Sequence, residues 1–161
     1  MNELVNKISS YNIFNYLFPG AIFVILTKGI IHYPIEETDV LARLFLYYFV
    51  GMVISRVGSI IIEPPLKWMR FIRFRPYKEY VSASKKDPKL ELLSEVNNTY
   101  RTLSSLFAIL LVIELYAHDT AIPLLGHGRA GTIILAVLLL MFLLAYRKQT
   151  RFITQRIEAN S

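Results

Sequence analysis

A short segment near the middle of the chain, Lys67–Tyr80, is rich in both cations and aromatic rings. Its sequence is KWMRFIRFRPYKEY, in which five of the fourteen side chains are basic and five are aromatic. Cations bind phosphates, and aromatic rings stack on bases at about 1 to 3 kcal/mol each. The pattern predicts a site for a nucleotide or single-stranded nucleic acid, with the ligand-binding residues Lys67, Arg70, Arg73, Phe74, Arg75, Tyr77, Lys78 and Arg101.

The same segment has a second interpretation, as a membrane anchor. Trp, Tyr, Lys and Arg gather at the membrane boundary, where each basic residue gains on the order of 1 kcal/mol from anionic lipid. An anchor needs only a few residues, however, and the chain continues into a further helix for which Asp87 is the predicted N-cap and Pro88 the first residue. No RNA-binding motif or phosphate-binding glycine loop is present in the segment. Both interpretations stay open at this point.

The elements that must position this segment are predicted to be membrane spans. The chain has 161 residues, of which 54% are hydrophobic, and its mean hydropathy is +0.42. A hydrocarbon core about 30 Å thick requires about 20 mostly apolar residues of helix. Pro64 and Pro65 are expected to end the second helix, because proline lacks an amide donor and clashes with the preceding turn. Four segments meet the length requirement: 13–31, 44–62, 103–122 and 130–146.

Lys and Arg are distributed unequally around these spans. One side carries Lys7, nine residues between the second and third spans, and four residues after the fourth span, whereas the other side carries only Arg43 and Arg129. Because cytoplasmic loops carry the excess of Lys and Arg, we expect both termini and the middle segment to be cytoplasmic.

The predicted fold class is therefore all-α. We expect a polytopic membrane protein with four transmembrane helices and a small helical cytoplasmic segment between the second and third spans. The corresponding regions are a transmembrane hairpin at 1–63, the basic cytoplasmic segment at 64–102, a second transmembrane hairpin at 103–146 and a basic cytoplasmic tail at 147–161.

Charged residues within or beside the spans are candidates for a gate or for a structural ion pair. A charge in the membrane usually faces a protein interior, a partner charge or water. Arg56 and Glu114 lie at similar depths in the second and third spans, so we expect them to pair, with Glu63 as the competing partner. Such a pair acts either in gating or only to hold the helices together.

The first span has a polar stripe near its start. Asn12, Asn15 and Pro19 recur at i, i+3 and i+7, so they share one helix face. Proline at this position can kink the helix and free backbone carbonyl groups. The three residues are candidates for pore lining, although side-chain amides also join helices to each other in membranes.

The sequence contains no constellation typical of an enzyme. Catalysis needs a nucleophile with a base, an acid and base pair, or a metal cluster. The chain has no cysteine, and the spacing of His118, Asp119 and His127 is no recognised metal-ligand pattern. We therefore expect no enzymatic activity, no cofactor and no metal site.

As a whole, the chain resembles the transmembrane ion-channel effectors of Hailong-type anti-phage defence systems, and less closely the membrane subunit of Kiwa-type systems. The resemblance lies in the N-terminal SYNIFNYLFPG, the four spans, the basic segment between spans two and three, and the short basic tail. It implies a homotetrameric channel in the bacterial inner membrane that short DNA oligomers, made by a partner nucleotidyltransferase, hold shut. Phage interference with that signal would open the channel and stop the growth of the infected cell.

The principal hypothesis is thus an oligomeric channel in the lipid bilayer, gated by an anionic nucleotide or short single-stranded DNA. Two alternatives remain. One is a membrane scaffold or sensor that recruits a cytoplasmic protein, and the other is a toxin-like pore former that needs no ligand. Conductance in planar bilayers separates the channel from the scaffold, and oligonucleotide binding separates the gated channel from the simple pore.

Overall fold

The structure, a computed structural model, describes residues 2–28, 39–119 and 129–160, with side chains from residue 15 onward and up to residue 117 in the middle range. Within these ranges the chain folds entirely as helices and their connections, which confirms the predicted all-α class. The helices are α1 (Asn2–Thr27), α2 (Val40–Val57), α3 (Glu63–Trp68), α4 (Tyr77–Lys86), α5 (Lys89–Asp119) and α6 (Arg129–Ala159).

Three helices of the described chain are long and apolar enough to cross a membrane, in agreement with the prediction of a membrane protein. They are Val40–Trp68, which comprises α2, α3 and the turn between them, then Lys89–Ala117 in α5, and α6. The apolar part of α1, Asn15–Thr27, is shorter. In α5 half of the apolar stretch is buried, against 22% in Val40–Trp68 and 17% in α6. Helix α5 is therefore the centre of the bundle, and the other two present apolar surface outward.

The core forms where α5 packs between α1, α2 and α6. Its central residues are fully buried apolar side chains from three helices, and the ring of Phe107 stacks on that of Phe142 with centroids 5.3 Å apart. Helices α1 and α2 approach each other so closely that a Cβ on Gly51 would lie 1.7 Å from the Tyr16 carbonyl oxygen. The buried residues of this core are Ile54, Leu103, Leu106, Phe107, Leu110 and Leu135.

The double proline does not end the second helix, contrary to the expectation from sequence. Gly58–Ile62 form a π-helical turn, closed by a hydrogen bond from the Glu63 N–H to the Gly58 carbonyl, and α3 follows with Pro64 and Pro65 in its first turn. Proline is tolerated there because the first amides of a helical turn need no partner within it. A single helix therefore joins the apolar span to the basic segment.

Helix α4 and the connection to α5 are clamped to the end of α6. Asp87 accepts a hydrogen bond from the Lys89 N–H at 3.2 Å, which confirms its predicted role as an N-cap. Its carboxylate also pairs with the guanidinium of Arg156. The Arg156 guanidinium holds the pKa of Asp87 below its usual value. Beneath this pair, a small apolar cluster of α4, α5 and α6 comprises Ala83, Leu90, Ile153 and Ile157.

Candidate functional site

Arg70, two residues after the end of α3, has a backbone conformation that favours glycine. The φ angle of Arg70 is 56°. The Phe71 N–H donates to the Leu66 carbonyl at 2.9 Å, and the Arg70 N–H donates to the Lys67 carbonyl at 3.0 Å. These bonds define a Schellman motif, whose left-handed residue is usually glycine because a Cβ there costs about 1 to 2 kcal/mol. An arginine is thus held at a sharp reversal where its side chain carries a conformational cost.

After this reversal the chain lies against the C-terminal half of α6. The Thr154 hydroxyl donates to the Arg73 carbonyl at 3.0 Å. The guanidinium of Arg147 stands over the Phe71 ring, 4.9 Å from its centroid, and Ile72 is buried in a cluster that α6 completes. The basic segment and the basic tail, which lie far apart in the sequence, therefore form one surface.

A groove of about 700 Å³ opens between the basic segment and α6. Five cationic side chains line it, and its one carboxylate among the described residues, Glu158, is already paired with Arg75. A cleft lined by charges of one sign concentrates the electric field and attracts the opposite ion. We call this cavity the basic groove, and its cations are Arg70, Arg73, Arg147, Lys148 and Arg151.

The basic groove continues past Arg70 and Arg73 into a second cavity of about 500 Å³. This cavity adds Lys67 and Phe74, which contact each other, since the ammonium group lies 4.7 Å from the centre of the ring. Phe74 also borders a third cavity of about 220 Å³, whose lining includes further aromatic and amide side chains, among them Tyr77 and Asn98. Cations and rings therefore follow one another along a continuous surface.

The structure brings together only some of the predicted ligand-binding residues. Lys67, Arg70, Arg73 and Phe74 line the first two cavities, and Tyr77 lines the third. Arg75 borders the third cavity but pairs with Glu158 and lies 3.9 Å from Glu79. The other two lie elsewhere: Lys78 is exposed on α4 outside these cavities, and Arg101 is part of a separate ion-pair cluster.

Three groove residues were missed by the sequence analysis because they belong to α6. Arg147, Lys148 and Arg151 lie at i, i+1 and i+4, so one helix face presents all three. The spacing of the basic residues within RKQTR was the sequence signal that could have indicated a basic helix face. It could not show that the face lies opposite the basic segment, about 75 residues earlier in the chain.

Glu63 is the centre of an ion-pair cluster that joins α3, α5 and α6. Its carboxylate accepts a 2.6 Å contact from Lys67 and a 2.9 Å hydrogen bond from Arg101. The hydroxyl of Tyr146, which is 1% exposed, donates to the same carboxylate at 3.1 Å. Because Lys67 belongs both to this cluster and to the second cavity, the cluster connects the surface of the cavities to the bundle.

Within one protomer, the described residues show no ion pair between Arg56 and either of its predicted partners, Glu114 and Glu63. Glu63 binds the cations of α3 and α5, and Arg56 makes no ion pair within the described ranges. The reason is the rotation of α2, which turns Ile54 and Ser55 into the bundle and leaves Arg56 exposed on the opposite face. Glu114 is fully buried in α5.

Asn15 and Pro19, the two residues of the predicted polar stripe whose side chains the structure describes, face the bundle interior. Pro19 lies inside α1 and is buried. Asn15 is 6% exposed, and its side-chain oxygen accepts a hydrogen bond from the Thr99 hydroxyl of α5. Within one protomer, the Asn15 amide therefore joins α1 to α5. The side chains of Asn12, His118, Asp119 and His127 lie outside the described residues.

Similar hydrogen bonds link α5 to its other two neighbours. Thr102 donates to Ser55 of α2 at 3.1 Å, and Thr150 of α6 donates to Asn97 at 3.1 Å. Together with the Asn15 contact, these bonds form a polar belt next to the Glu63 cluster. Polar contacts thus join α5 to each of its three neighbouring helices.

The arrangement can bind an anion that carries several charges and presents flat rings. The cations converge on the basic groove, the rings border the cavities beside it, and one helix connects this surface to the apolar span. No known protein family, curated protein or solved structure matches this chain.

Proposed function

We propose that this protein is an oligomeric membrane channel whose basic groove binds a short single-stranded oligonucleotide or a similar anionic nucleotide, and that the bound ligand determines whether the channel conducts. Four spans per chain, with both termini and the basic groove on the cytoplasmic side, complete the proposal. The observation that carries it is the convergence of five cations from two distant parts of the chain around one cavity.

The shape of the surface supports a ligand with phosphates and bases. Cavities of about 700 and 500 Å³ are of the size that small-molecule ligands occupy. The guanidinium groups of Arg70 and Arg73 lie between the two cavities and can contact successive phosphates. Phe74, 45% exposed, and Tyr77, 78% exposed, are available for stacking on bases.

A route from the ligand to the span runs through Lys67. This residue is bound to Glu63 and also faces the second cavity. A phosphate in that cavity would draw the ammonium group away from Glu63, which would then depend more on Arg101. Because the Glu63 cluster joins three helices, a change in its pairing alters the packing of the helix that continues into the span.

The resemblance to Hailong-type channels supplies the expected biological setting. It supports a homotetramer in the bacterial inner membrane, a partner nucleotidyltransferase that makes the oligonucleotide, and a role in antiviral defence by abortive infection. In this setting the ligand keeps the channel closed. A variant that has lost ligand binding should therefore be toxic in cells that contain no phage.

The first experiment measures binding of a fluorescent single-stranded oligonucleotide to the purified full-length protein in detergent. The variant Arg73→Ala/Arg151→Ala removes two groove cations, and Lys85→Ala, which removes an exposed cation of α4 outside the groove, is the matched control. We expect the double variant to lose binding and the control to retain it. Equal binding by all three proteins would refute the groove as the ligand site.

The second experiment measures conductance in planar bilayers with and without the oligonucleotide. Conductance that the oligonucleotide suppresses supports the gated channel. Conductance without any oligonucleotide binding supports the simple pore, and absence of conductance supports the scaffold. The anchor interpretation of the basic segment predicts that no oligonucleotide binds and that the double variant inserts poorly into membranes.

A further inference from the structure

The outward face of α2 and of the π turn that follows it is an apolar stripe interrupted by one charge. Leu41, Phe45, Phe49, Val53 and Ile60 are 74%, 72%, 50%, 46% and 70% exposed. Arg56 is also exposed and lies three residues after Val53 and four before Ile60, so it belongs to the same face. The apolar residues of this stripe can contact lipid, but contact of the guanidinium with lipid is unfavourable.

The depth of Arg56 follows from the charges that flank it on the same helix. Arg43 and Glu63 are twenty residues apart, or about 30 Å, which matches the thickness of the hydrocarbon core. Glu63 is level with Tyr146, the last residue before α6 becomes basic. Arg56 is seven residues from Glu63, or about 10 Å inside this boundary.

Snorkelling does not bring the guanidinium to water easily. Side chains of a helix lean toward its N-terminus, which for Arg56 is the direction of Arg43 and of the membrane centre. The distance to the boundary at Arg43 is about 20 Å on the same count, far beyond the reach of the side chain. Arginine in a membrane span usually faces a protein interior or a water-filled cavity.

The described part of the chain has no carboxylate available to pair with Arg56 at this depth. Glu63 is held by Lys67, Arg101 and Tyr146, and Glu114 is fully buried on α5. A second copy of the chain would bring the same groups in the same positions. The guanidinium therefore needs contact with water. Water can reach it along the outside of one bundle only where other copies of the chain enclose a path.

We propose that the face of α2 formed by Phe49, Val53, Arg56 and Ile60 packs against further copies of this chain around a water-filled path, with the Arg56 guanidinium in the water. This inference deepens the proposed channel by assigning its pore-lining helix, and it does not depend on the ligand of the basic groove. A ring of arginines at a constriction favours anions over cations.

The test uses single cysteines, because the natural chain has none. Proteoliposomes with Arg56→Cys, Val53→Cys or Leu140→Cys are treated with a charged methanethiosulfonate reagent and, separately, with an oxidant. Leu140 is 57% exposed on α6 and lies about 9 Å from Tyr146, so it is a lipid-facing control at matched depth. Thiols react as thiolates, which form in water and not in hydrocarbon.

We expect the reagent to label Arg56→Cys and Val53→Cys but not Leu140→Cys, and oxidation to give disulfide-linked dimers of Val53→Cys but not of Leu140→Cys. Val53→Cys retains Arg56 and so tests the face even if the arginine variant fails to assemble. Absence of labelling at both α2 positions, or labelling without dimers, would overturn the inference.

The two proposals fail in different ways. Unlabelled α2 variants that still bind oligonucleotide would remove the pore assignment and leave the ligand site intact. Labelled and cross-linked variants that bind no oligonucleotide at any salt concentration would remove the ligand-gated function and leave the pore assignment intact.

Discussion

Binding of a single-stranded oligonucleotide to the basic groove should weaken steeply as salt is added. Each phosphate that a cation neutralises releases counterions and contributes about 0.7 to the slope of log affinity against log salt concentration. The groove presents five cations, so full engagement gives a slope of about 3.5 in magnitude. Raising the salt concentration from about 50 to about 200 mM should then reduce affinity about 130-fold.

Lys148→Ala provides the perturbation that tests this count. Lys148 is exposed in the groove and makes no hydrogen bond or ion pair among the described residues, so its removal should leave the packing unchanged. One contact fewer lowers the slope to about 2.8, and the same change in salt concentration should cost about 50-fold in affinity. Lys85→Ala, on α4 outside the groove, should keep the parent slope.

Fluorescence anisotropy across a salt series, with the purified protein in detergent, measures both slopes. Phe74→Ala gives a further comparison, because loss of stacking should reduce affinity without altering the slope. A parent slope below about 1 would mean that fewer than two phosphates are neutralised, and the reasoning from groove geometry would fail. Equal slopes for Lys148→Ala and Lys85→Ala variants, both below that of the parent, would show a diffuse charge effect instead of a site.

The remaining predictions concern stability and selectivity. Arg70→Gly should raise thermal stability, by about 1 kcal/mol, because glycine tolerates the positive φ, and yet weaken oligonucleotide binding; loss of stability would contradict the Schellman assignment. Glu63→Gln should destabilise the protein by several kcal/mol in chemical denaturation, because it leaves two cations without their carboxylate, and an unchanged midpoint would show that the cluster is dispensable. Because Arg156 lowers the pKa of Asp87 in the folded state, this pair stabilises the fold at pH values above the unfolded pKa of about 3.9, and the stabilisation is lost as the pH falls through the pKa of the folded state. Unfolding curves of Asp87→Asn should lack this acid dependence, and the same pH dependence in the variant and the parent would refute the pairing. If the channel conducts, Arg56→Glu should shift the reversal potential toward cations while Arg56→Lys leaves it near the parent value, and an unchanged potential in both would separate Arg56 from the ion path.

The helices could be predicted from sequence because each depends on local information. Long, mostly apolar runs indicate the long helices, and Asp87 followed by Pro88 marks the start of α5, where the structure shows the capping bond. The all-α class and the three long apolar helices follow from such signals. The predicted topology rests on charge distribution and the first span, 13–31, on its apolar length, and both stay predictions.

The features that sequence could not predict depend on contacts between distant residues. The rotation of α2 about its axis decides that Arg56 faces outward, and that rotation is set by packing at Ile54, Ser55 and Gly58. The basic groove needs α6 to run alongside the segment that follows α3, a juxtaposition that no local pattern encodes. The π turn before Pro64 likewise follows from the need to continue the helix past two prolines.

The 31 residues of α6 give a helix about 46 Å long, which exceeds the hydrocarbon thickness and lets one element serve as both a span and a wall of the groove. The region 64–102 therefore holds only half of the groove, and the other half is an extension of a hydrophobic helix. A soluble fragment cut from the middle of the chain would lack Arg147, Lys148 and Arg151. The proposed ligand site therefore cannot be excised, crystallised or transplanted as a separate module, and binding studies have to be carried out on the intact chain in detergent or lipid.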